Sequence, residues 1–345
     1  MPITIDELDV FKLCGPTYLV ESGETWTHPN SLRASMACLV QAVYALDKDR
    51  HVLKMGLEPL AADWHLPFKY KLIKTLHDGE GSDQIVGAVF KWSRRLSALR
   101  AGIAPKIVVA FRGTLPFGDT LWSDLRADLD VLMLQLHRAP RFLMALEEVK
   151  QVVACYGAGK VCMTGHSLGA AICLLVGRTL AADNCFVDTH LFNPPFPSLD
   201  HLLSLRAIAT AIAAKFWSVG SGKGEGQTVD GSRHLMKWQP HLYLNTHDPL
   251  CAAYVAFFRE LERFQVRQLG SSETSKAGHR ACGLRMLVQS WAGHDAMPFH
   301  LIPCASLHVT DAGNGFKKAH GMKQWWSQEI SLSQTSKVTG LIVAK

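Results

Sequence analysis

The pattern of hydrophobic positions predicts a helix and two strands in the first third of the chain. Apolar residues recur at helical spacing over residues 31–46, and Ser31 stands where it can cap the helix N-terminus. Residues 84–92 and 106–111 instead form runs with strand composition, and the second run is continuously apolar after Lys106. Such a run is typical of a strand that is buried on both faces.

The same pattern continues as an alternation of helices and strands. Residues 139–156 and 168–180 have helical composition, and the short apolar run 160–164 lies between them. Three later apolar runs are also strand-like: residues 185–192, 241–245 and 302–309. This alternation predicts the α/β fold class, with a mostly parallel central sheet and helices on both faces.

Length and composition fit one elaborated domain. The chain has 345 residues, of which 48% are hydrophobic, and this is enough for a large core. We expect a single domain over residues 1–345, in which residues 1–100 form a helical and strand-containing extension packed on the rest. The polar, glycine-containing segments 218–231 and 269–278 are expected to be flexible insertions.

The charge pattern argues against a nucleic-acid-binding protein. The net charge is +6, but Lys and Arg are scattered in runs of no more than two residues. A mildly basic surface is the first interpretation. The second is weak attraction to anionic lipid headgroups, and thus peripheral contact with a lipid surface.

The cysteines and the apolar segments indicate a soluble, cytoplasmic protein. Nine cysteines are spread without a C-x-x-C pair, which is typical of reduced thiols and argues against a zinc clamp. The N-terminus is acidic where a secretory signal would be basic, and the apolar segments 161–183 and 201–219 are interrupted by charged residues. The oligomeric state cannot be read from the sequence.

The pentapeptide Gly165–Gly169, G-H-S-L-G, is the strongest candidate for chemistry. It lies between a predicted strand and a predicted helix, where small residues let the chain turn sharply and raise Ser167 above the sheet. The amide of Leu168 at the helix N-terminus can donate to an oxyanion. Because a serine hydroxyl needs a base and the base needs an orienting carboxylate, the elbow predicts a triad. In the alternative interpretation, Ser167 only caps the helix.

The segment Phe111–Thr114, F-R-G-T, follows a predicted buried strand, where the second oxyanion donor is expected. With W-S-D-L-R-A-D-L at 122–129 and T-G-H-S-L-G-A around the serine, it resembles the class 3 lipase family of α/β-hydrolases. The resemblance implies an α/β-hydrolase fold, Thr114 as the second oxyanion donor and a lid over residues 115–130. Alternatively, Thr114 only ends a strand and the apolar lid region is a fixed core helix. Ala170 departs from the pattern, since many members carry glycine there.

Asp248 and His320 are the candidates for the other two triad members. Asp248 follows the strand-like run 241–245, and the class 3 pattern has a similar N-x-x-D-P at its catalytic aspartate. The histidines that follow Asp248 in the chain are His279, His294, His300, His308 and His320. A catalytic histidine is expected in a loop beyond the last strand, so His320 is the first choice and His308, inside the predicted last strand, is its main rival.

The segment A-H-G-x-x-Q-W-W around His320 also resembles a plant branch of class 3 lipase-like proteins, some of which are labelled GDSL esterase/lipase. A true GDSL hydrolase carries its nucleophile in a G-D-S-L block near the N-terminus. This chain has only G-D-T-L at Gly118–Leu121, inside the lid region. We interpret that match as a coincidence.

Together these residues predict a lipase- or carboxylesterase-like serine hydrolase that cleaves acyl esters, lipid-derived ones above all, through an acyl-enzyme. No metal and no organic cofactor are expected. One alternative is a non-catalytic scaffold that binds a small lipid or a hormone-like ligand. Another is peptidase or thioesterase activity of the same triad. The identity and chain length of the substrate do not follow from the sequence.

Overall fold

A computed structural model gives the fold of the protein. It describes residues 5–21, 30–79, 81–93, 104–114, 136–196, 234–259, 301–313 and 315–338. The predicted lid region, the near-match at Gly118–Leu121 and both predicted insertions lie outside these residues. Within them, no helix combines the length and the apolar character that a bilayer crossing requires.

Within the described residues, eight strands form one sheet in which neighbours in space are neighbours in the chain. The strands are β1 (Tyr70–His77), β2 (Ile85–Trp92), β3 (Ile107–Phe111), β4 (Val161–His166), β5 (Asp188–Phe192), β6 (His241–Asn245), β7 (Ala305–Thr310) and β8 (Ser333–Val338). Strands β3 to β7 are parallel to one another. The outer strands β1, β2 and β8 pair antiparallel. The sheet is therefore mostly parallel in its centre, as predicted.

The helices cover both faces of this sheet. The main helices are α1 (Ser31–Val52), α2 (Pro140–Tyr156), α3 (Leu168–Ala182) and the short α4 (Phe316–His320), with residues 253–259 also helical. Shorter helical segments are Glu7–Asp9, Phe11–Cys14, Thr17–Glu21, Leu53–Met55, Ala62–His65, Leu136–Arg138, Ala158–Lys160 and Met322–Trp326. The predicted helices and strands are thus confirmed, and the first helix extends six residues beyond its predicted end at residue 46.

The strand order determines which helix packs on which face. When each new parallel strand is added on the same side of the previous one, right-handed connections between them all lie on one face of the sheet. Helices α2 and α3 accordingly share one apolar core with alternate residues of the central strands. The opposite face packs against α1 and against Trp325 and Trp326 of the C-terminal segment. The N-terminal and C-terminal segments thus close the face that the crossovers leave open.

Two strands, β1 and β8, were not predicted. Strand β1 exposes most of its side chains, and both strands lie at an edge of the sheet and are rich in polar residues. Polar edge strands are common because they prevent further pairing, and they give no strong apolar signal. The expectation that the sheet ends with the strand at 302–309 was therefore wrong, since β8 follows it.

Candidate active site

Ser167 lies at a strained turn between β4 and α3. Its backbone has φ 53° and ψ −124°, a region that costs a non-glycine residue about 1–3 kcal/mol. The amide of Ser167 donates to the carbonyl of Phe192 at the end of β5, 3.0 Å away. Ser167 is 5% exposed. The predicted strand, tight turn and helix are present, and strain of this kind is common at functional sites.

Two glycines bring the end of β3 against this turn. A Cβ atom on Gly169 would lie 2.5 Å from the carbonyl oxygen of Phe111, and one on Gly113 would lie 2.8 Å from the Cβ of Ser167. Larger residues would push the two segments apart. The loop that follows β3 therefore lies directly beside Ser167, and Thr114 is the next residue in that loop.

Arg112 anchors the same loop to α1. Its guanidinium is 1% exposed and donates to the carbonyls of Ile85 at 2.7 Å and Gly113 at 2.7 Å. It also forms an ion pair with Asp47 of α1 at 3.2 Å. The F-R-G-T segment thus carries a buried arginine that positions the loop, a function that sequence reasoning did not assign to it.

Asp248 and His320 are hydrogen-bonded to each other, with His320 Nδ1 2.8 Å from Asp248 Oδ2. The Asp248 side chain is fully buried, and its Oδ1 accepts the Leu250 amide at 3.0 Å. Burial raises the pKa of this carboxyl, but the hydrogen bonds from His320, Leu250 and Asn193 outweigh it and hold the pKa below its usual value. Asp248 therefore stays ionised beside the imidazole.

Asn193 is a member of the site that the sequence reasoning missed. It follows β5 with a left-handed φ of 47°. Its amide nitrogen donates to Asp248 Oδ2 at 2.6 Å and to the Ala319 carbonyl at 3.0 Å, while its Oδ1 accepts Trp325 Nε1 at 2.5 Å. The only sequence signal was its place directly after a buried strand, where functional residues of parallel sheets gather.

Gln324 folds the chain around His320. Its amide nitrogen donates to the carbonyls of Ala319 at 2.6 Å and Gly321 at 3.0 Å, and its Oε1 accepts Asn245 Nδ2 at 2.7 Å. These hydrogen bonds explain why the A-H-G-x-x-Q-W-W segment carries a glutamine at this position. The glutamine and the first tryptophan hold the turn that follows α4, the short helix whose last residue is His320. The histidine thus lies beyond β7 as predicted, but at the end of a helix and not in a loop.

His166, the residue before Ser167, links three parts of the site. The Gly113 amide donates to the Tyr44 hydroxyl, which lies 2.8 Å from His166 Nδ1. His166 Nε2 lies 2.8 Å from the His320 carbonyl oxygen, which can only accept, so the proton is on Nε2 and the Tyr44 hydroxyl donates to Nδ1. Burial, with a smaller effect of His320, lowers the pKa of His166 to about 3. His166 is therefore neutral.

The remaining candidates are distributed as follows. Leu168 begins α3 and is buried, and Thr114 is exposed. His308, the rival base, lies on β7 with its Nε2 3.0 Å from His241 Nδ1 and its ring stacked on Tyr243. It therefore belongs to a different cluster. His279, His294 and His300 lie outside the described residues.

This arrangement can perform acyl transfer, because a buried carboxylate orients an imidazole next to a strained serine turn with backbone donors nearby. No protein-family model matches the chain, and no solved structure matches it significantly. GDSL esterase/lipase At4g10955 of Arabidopsis thaliana is 30% identical over an alignment that covers 94% of this chain and 96% of that protein. The name agrees with an ester-hydrolysing site. The chain therefore belongs to the esterase/lipase family of which that protein is a member.

Proposed function

We propose that the protein is a serine carboxylic-ester hydrolase of the α/β-hydrolase type, similar to class 3 lipases, with Ser167, Asp248 and His320 as its catalytic triad. The observation that carries the proposal is the 2.8 Å hydrogen bond from His320 to the buried Asp248. His320 lies against His166, the residue before Ser167, with 2.8 Å between His166 Nε2 and the His320 carbonyl oxygen, and Ser167 has the backbone of a nucleophile elbow. The resemblance of F-R-G-T and G-H-S-L-G to class 3 lipases and the family membership point the same way.

In the proposed mechanism, His320 Nδ1 stays bound to Asp248 and Nε2 takes the proton of the Ser167 hydroxyl. The serine oxygen attacks the ester carbonyl, and the amide of Leu168 together with Thr114 stabilises the resulting oxyanion. Collapse of this intermediate expels the alcohol, which takes the proton from His320, and leaves an acyl group on Ser167. Water, activated by the same imidazole, then releases the acid.

The substrate that we propose is an acyl ester, lipid-derived above all. Support comes from the esterase/lipase family and from the apolar residues of the segment 115–130, the predicted lid. Peripheral contact with a lipid surface and a cytoplasmic location belong to the same proposal. The net charge of +6 and the unpaired pattern of the cysteines in the sequence support them.

Labelling with a fluorophosphonate probe tests this function, because the probe reacts covalently only with an activated serine. We expect the wild-type protein to be labelled and to hydrolyse p-nitrophenyl esters. Ser167→Ala should lose both properties and keep the wild-type unfolding midpoint. Ser82→Ala removes a serine hydroxyl that accepts the Gln84 amide at 3.2 Å, on a different part of the chain, and is the matched control that should behave as wild type.

Two outcomes would contradict the proposal in different ways. Undiminished labelling or turnover in Ser167→Ala would show that another residue is the nucleophile. A wild-type protein that is neither labelled nor active on esters of any acyl chain length would instead favour a scaffold that only binds its ligand.

A further inference from the structure

A second cluster of polar side chains lies away from the proposed triad, on the face of the sheet that α1 covers. Cys162 at the start of β4 stands opposite Asp188 of β5 in the strand register, and His190 of β5 stands opposite His241 of β6. These residues belong to three different strands. No motif in the sequence marks such a cluster, since only the sheet brings its members together.

Three of these side chains have the geometry of a ligand set. The Sγ of Cys162, a carboxylate oxygen of Asp188 and a ring nitrogen of His190 all lie within 4.8 Å of one another. His190 Nε2 is 3.5 Å from Asp188 Oδ2. In a tetrahedral zinc site with bonds of about 2.0–2.3 Å, neighbouring ligand atoms lie about 3.3–3.8 Å apart. Small side-chain rotations would therefore bring all three ligands onto one ion.

His190 Nε2 is a buried ring nitrogen that a metal ion would provide with a partner. The His190 side chain is 1% exposed, and its Nε2 makes no hydrogen bond of good geometry among the described residues, since Asp188 Oδ2 lies 3.5 Å away. A buried polar atom without a partner costs about 1–3 kcal/mol, so natural proteins rarely keep one without a reason. The Cys162 thiol is held only weakly, by Met36 Sδ at 3.6 Å and the Met163 carbonyl at 3.5 Å.

The surroundings also resemble those of metal-binding histidines. His190 Nδ1 lies 3.0 Å from the Tyr243 hydroxyl, which can accept its proton and leave Nε2 free to bind an ion. His241 stacks on His190 and places its Nε2 3.9 Å from Asp188 Oδ1, where it can supply a fourth ligand. Asp188 and His241 are 47% and 34% exposed, so an ion can reach the cluster from solvent.

The geometry points to a structural zinc site formed by Cys162, Asp188 and His190, with His241 or water as the fourth ligand. A thiolate, an imidazole and a carboxylate are ligands that zinc accepts together. Binding releases the thiol proton of Cys162 to solvent, and the ion then cross-links β4 and β5. Cys162 precedes Ser167 by five residues along the chain, about 16 Å in a strand, so the ion would not contact the reacting ester.

Metal titration of the full chain after removal of metals with a chelator tests this site. We expect one equivalent of Zn²⁺ to bind and to raise the unfolding midpoint. Co²⁺ should produce a thiolate-to-cobalt charge-transfer band that Cys162→Ser abolishes. Cys155→Ser removes an exposed thiol and is the matched control, which should keep the band at full intensity.

Two further variants keep the test decisive if Cys162→Ser does not fold. His190→Gln and Asp188→Asn should each weaken Zn²⁺ binding at least tenfold, and Asp188 is exposed enough for its replacement to be tolerated. Failure of the wild-type chain to bind Zn²⁺, or a cobalt band that survives loss of Cys162, would overturn the inference. Neither readout uses ester turnover, so this site and the proposed triad can fail separately.

Discussion

The Tyr44 hydroxyl offers a direct test of how the oxyanion loop is positioned. This loop is the segment at residues 112–114, whose Thr114 stabilises the oxyanion in the proposed mechanism. Tyr44→Phe keeps the ring and removes one oxygen, which accepts the Gly113 amide and donates to His166, both at 2.8 Å. Burial raises the pKa of Tyr44 to about 12, so the wild-type hydroxyl is protonated and able to donate. The substitution leaves the Gly113 amide and His166 Nδ1 without the hydroxyl that they contact.

The expected cost follows from these two groups. A buried donor or acceptor that loses its partner costs about 1–3 kcal/mol, and we therefore expect Tyr44→Phe to lower the free energy of unfolding by about 2–4 kcal/mol. The loop beside Ser167 loses its hydrogen bond to Tyr44 but keeps Thr114, the proposed oxyanion donor. Since complete loss of one oxyanion donor reduces kcat about 10²–10³-fold, we expect a smaller, about tenfold reduction, or ~1.4 kcal/mol in activation free energy.

Urea unfolding and hydrolysis of p-nitrophenyl esters measure the two effects separately. The matched control is Tyr70→Phe, which removes a hydroxyl that donates to the Pro105 carbonyl at 2.9 Å, at the edge of the sheet. We expect this variant to lose stability but to keep the wild-type kcat. If Tyr44→Phe also keeps the full kcat once folded, the Tyr44 hydroxyl stabilises the fold without positioning the oxyanion loop, and the reasoning is refuted.

Two more predictions concern the same network. The pKa of His166 is about 3 in the folded protein and about 6.5 in the unfolded chain. As the pH drops below 6.5, the unfolded chain takes up a proton that the folded protein does not, so the free energy of unfolding decreases. We expect this histidine alone to lower the free energy of unfolding by about 3 kcal/mol between pH 7.5 and pH 4.5. Urea unfolding of His166→Gln should therefore show a weaker pH dependence than the wild type. If the free energy of unfolding varies with pH equally in both proteins, His166 does not have this role. Asn193→Ala leaves Trp325 Nε1 without its acceptor and Asp248 with one donor fewer, so we expect a loss of about 2–4 kcal/mol in unfolding free energy and at least a tenfold lower kcat. An unchanged KM with the lower kcat would fit a positioning role, whereas an unchanged kcat would exclude one.

The parts of the site that were predictable from sequence are those coded locally. The elbow around Ser167 is a strand, a turn and a helix in direct succession, and Asp248 comes three residues after β6. Periodicity and spacing, together with the resemblance to class 3 lipases, suffice to select both residues as candidates. Tyr44 was out of reach because its partner His166 is 122 residues away and a tyrosine in an amphipathic helix carries no functional signal. Asn193 was not predicted for the same reason, since its partners Asp248 and Trp325 lie 55 and 132 residues further along the chain.

The long-range contacts also explain why the first hundred residues matter for the site. The central strands follow one another in order, and the described crossover helices α2 and α3 pack on one face of the sheet, whereas helix α1 packs on the other. From α1, Arg33 donates to the Trp325 carbonyl at 2.9 Å and Tyr44 reaches His166 at 2.8 Å. The same helix thus contacts both the segment that follows His320 and the turn that carries Ser167. The N-terminal segment is therefore part of the scaffold that orients the proposed triad, which an apolar pattern alone does not reveal.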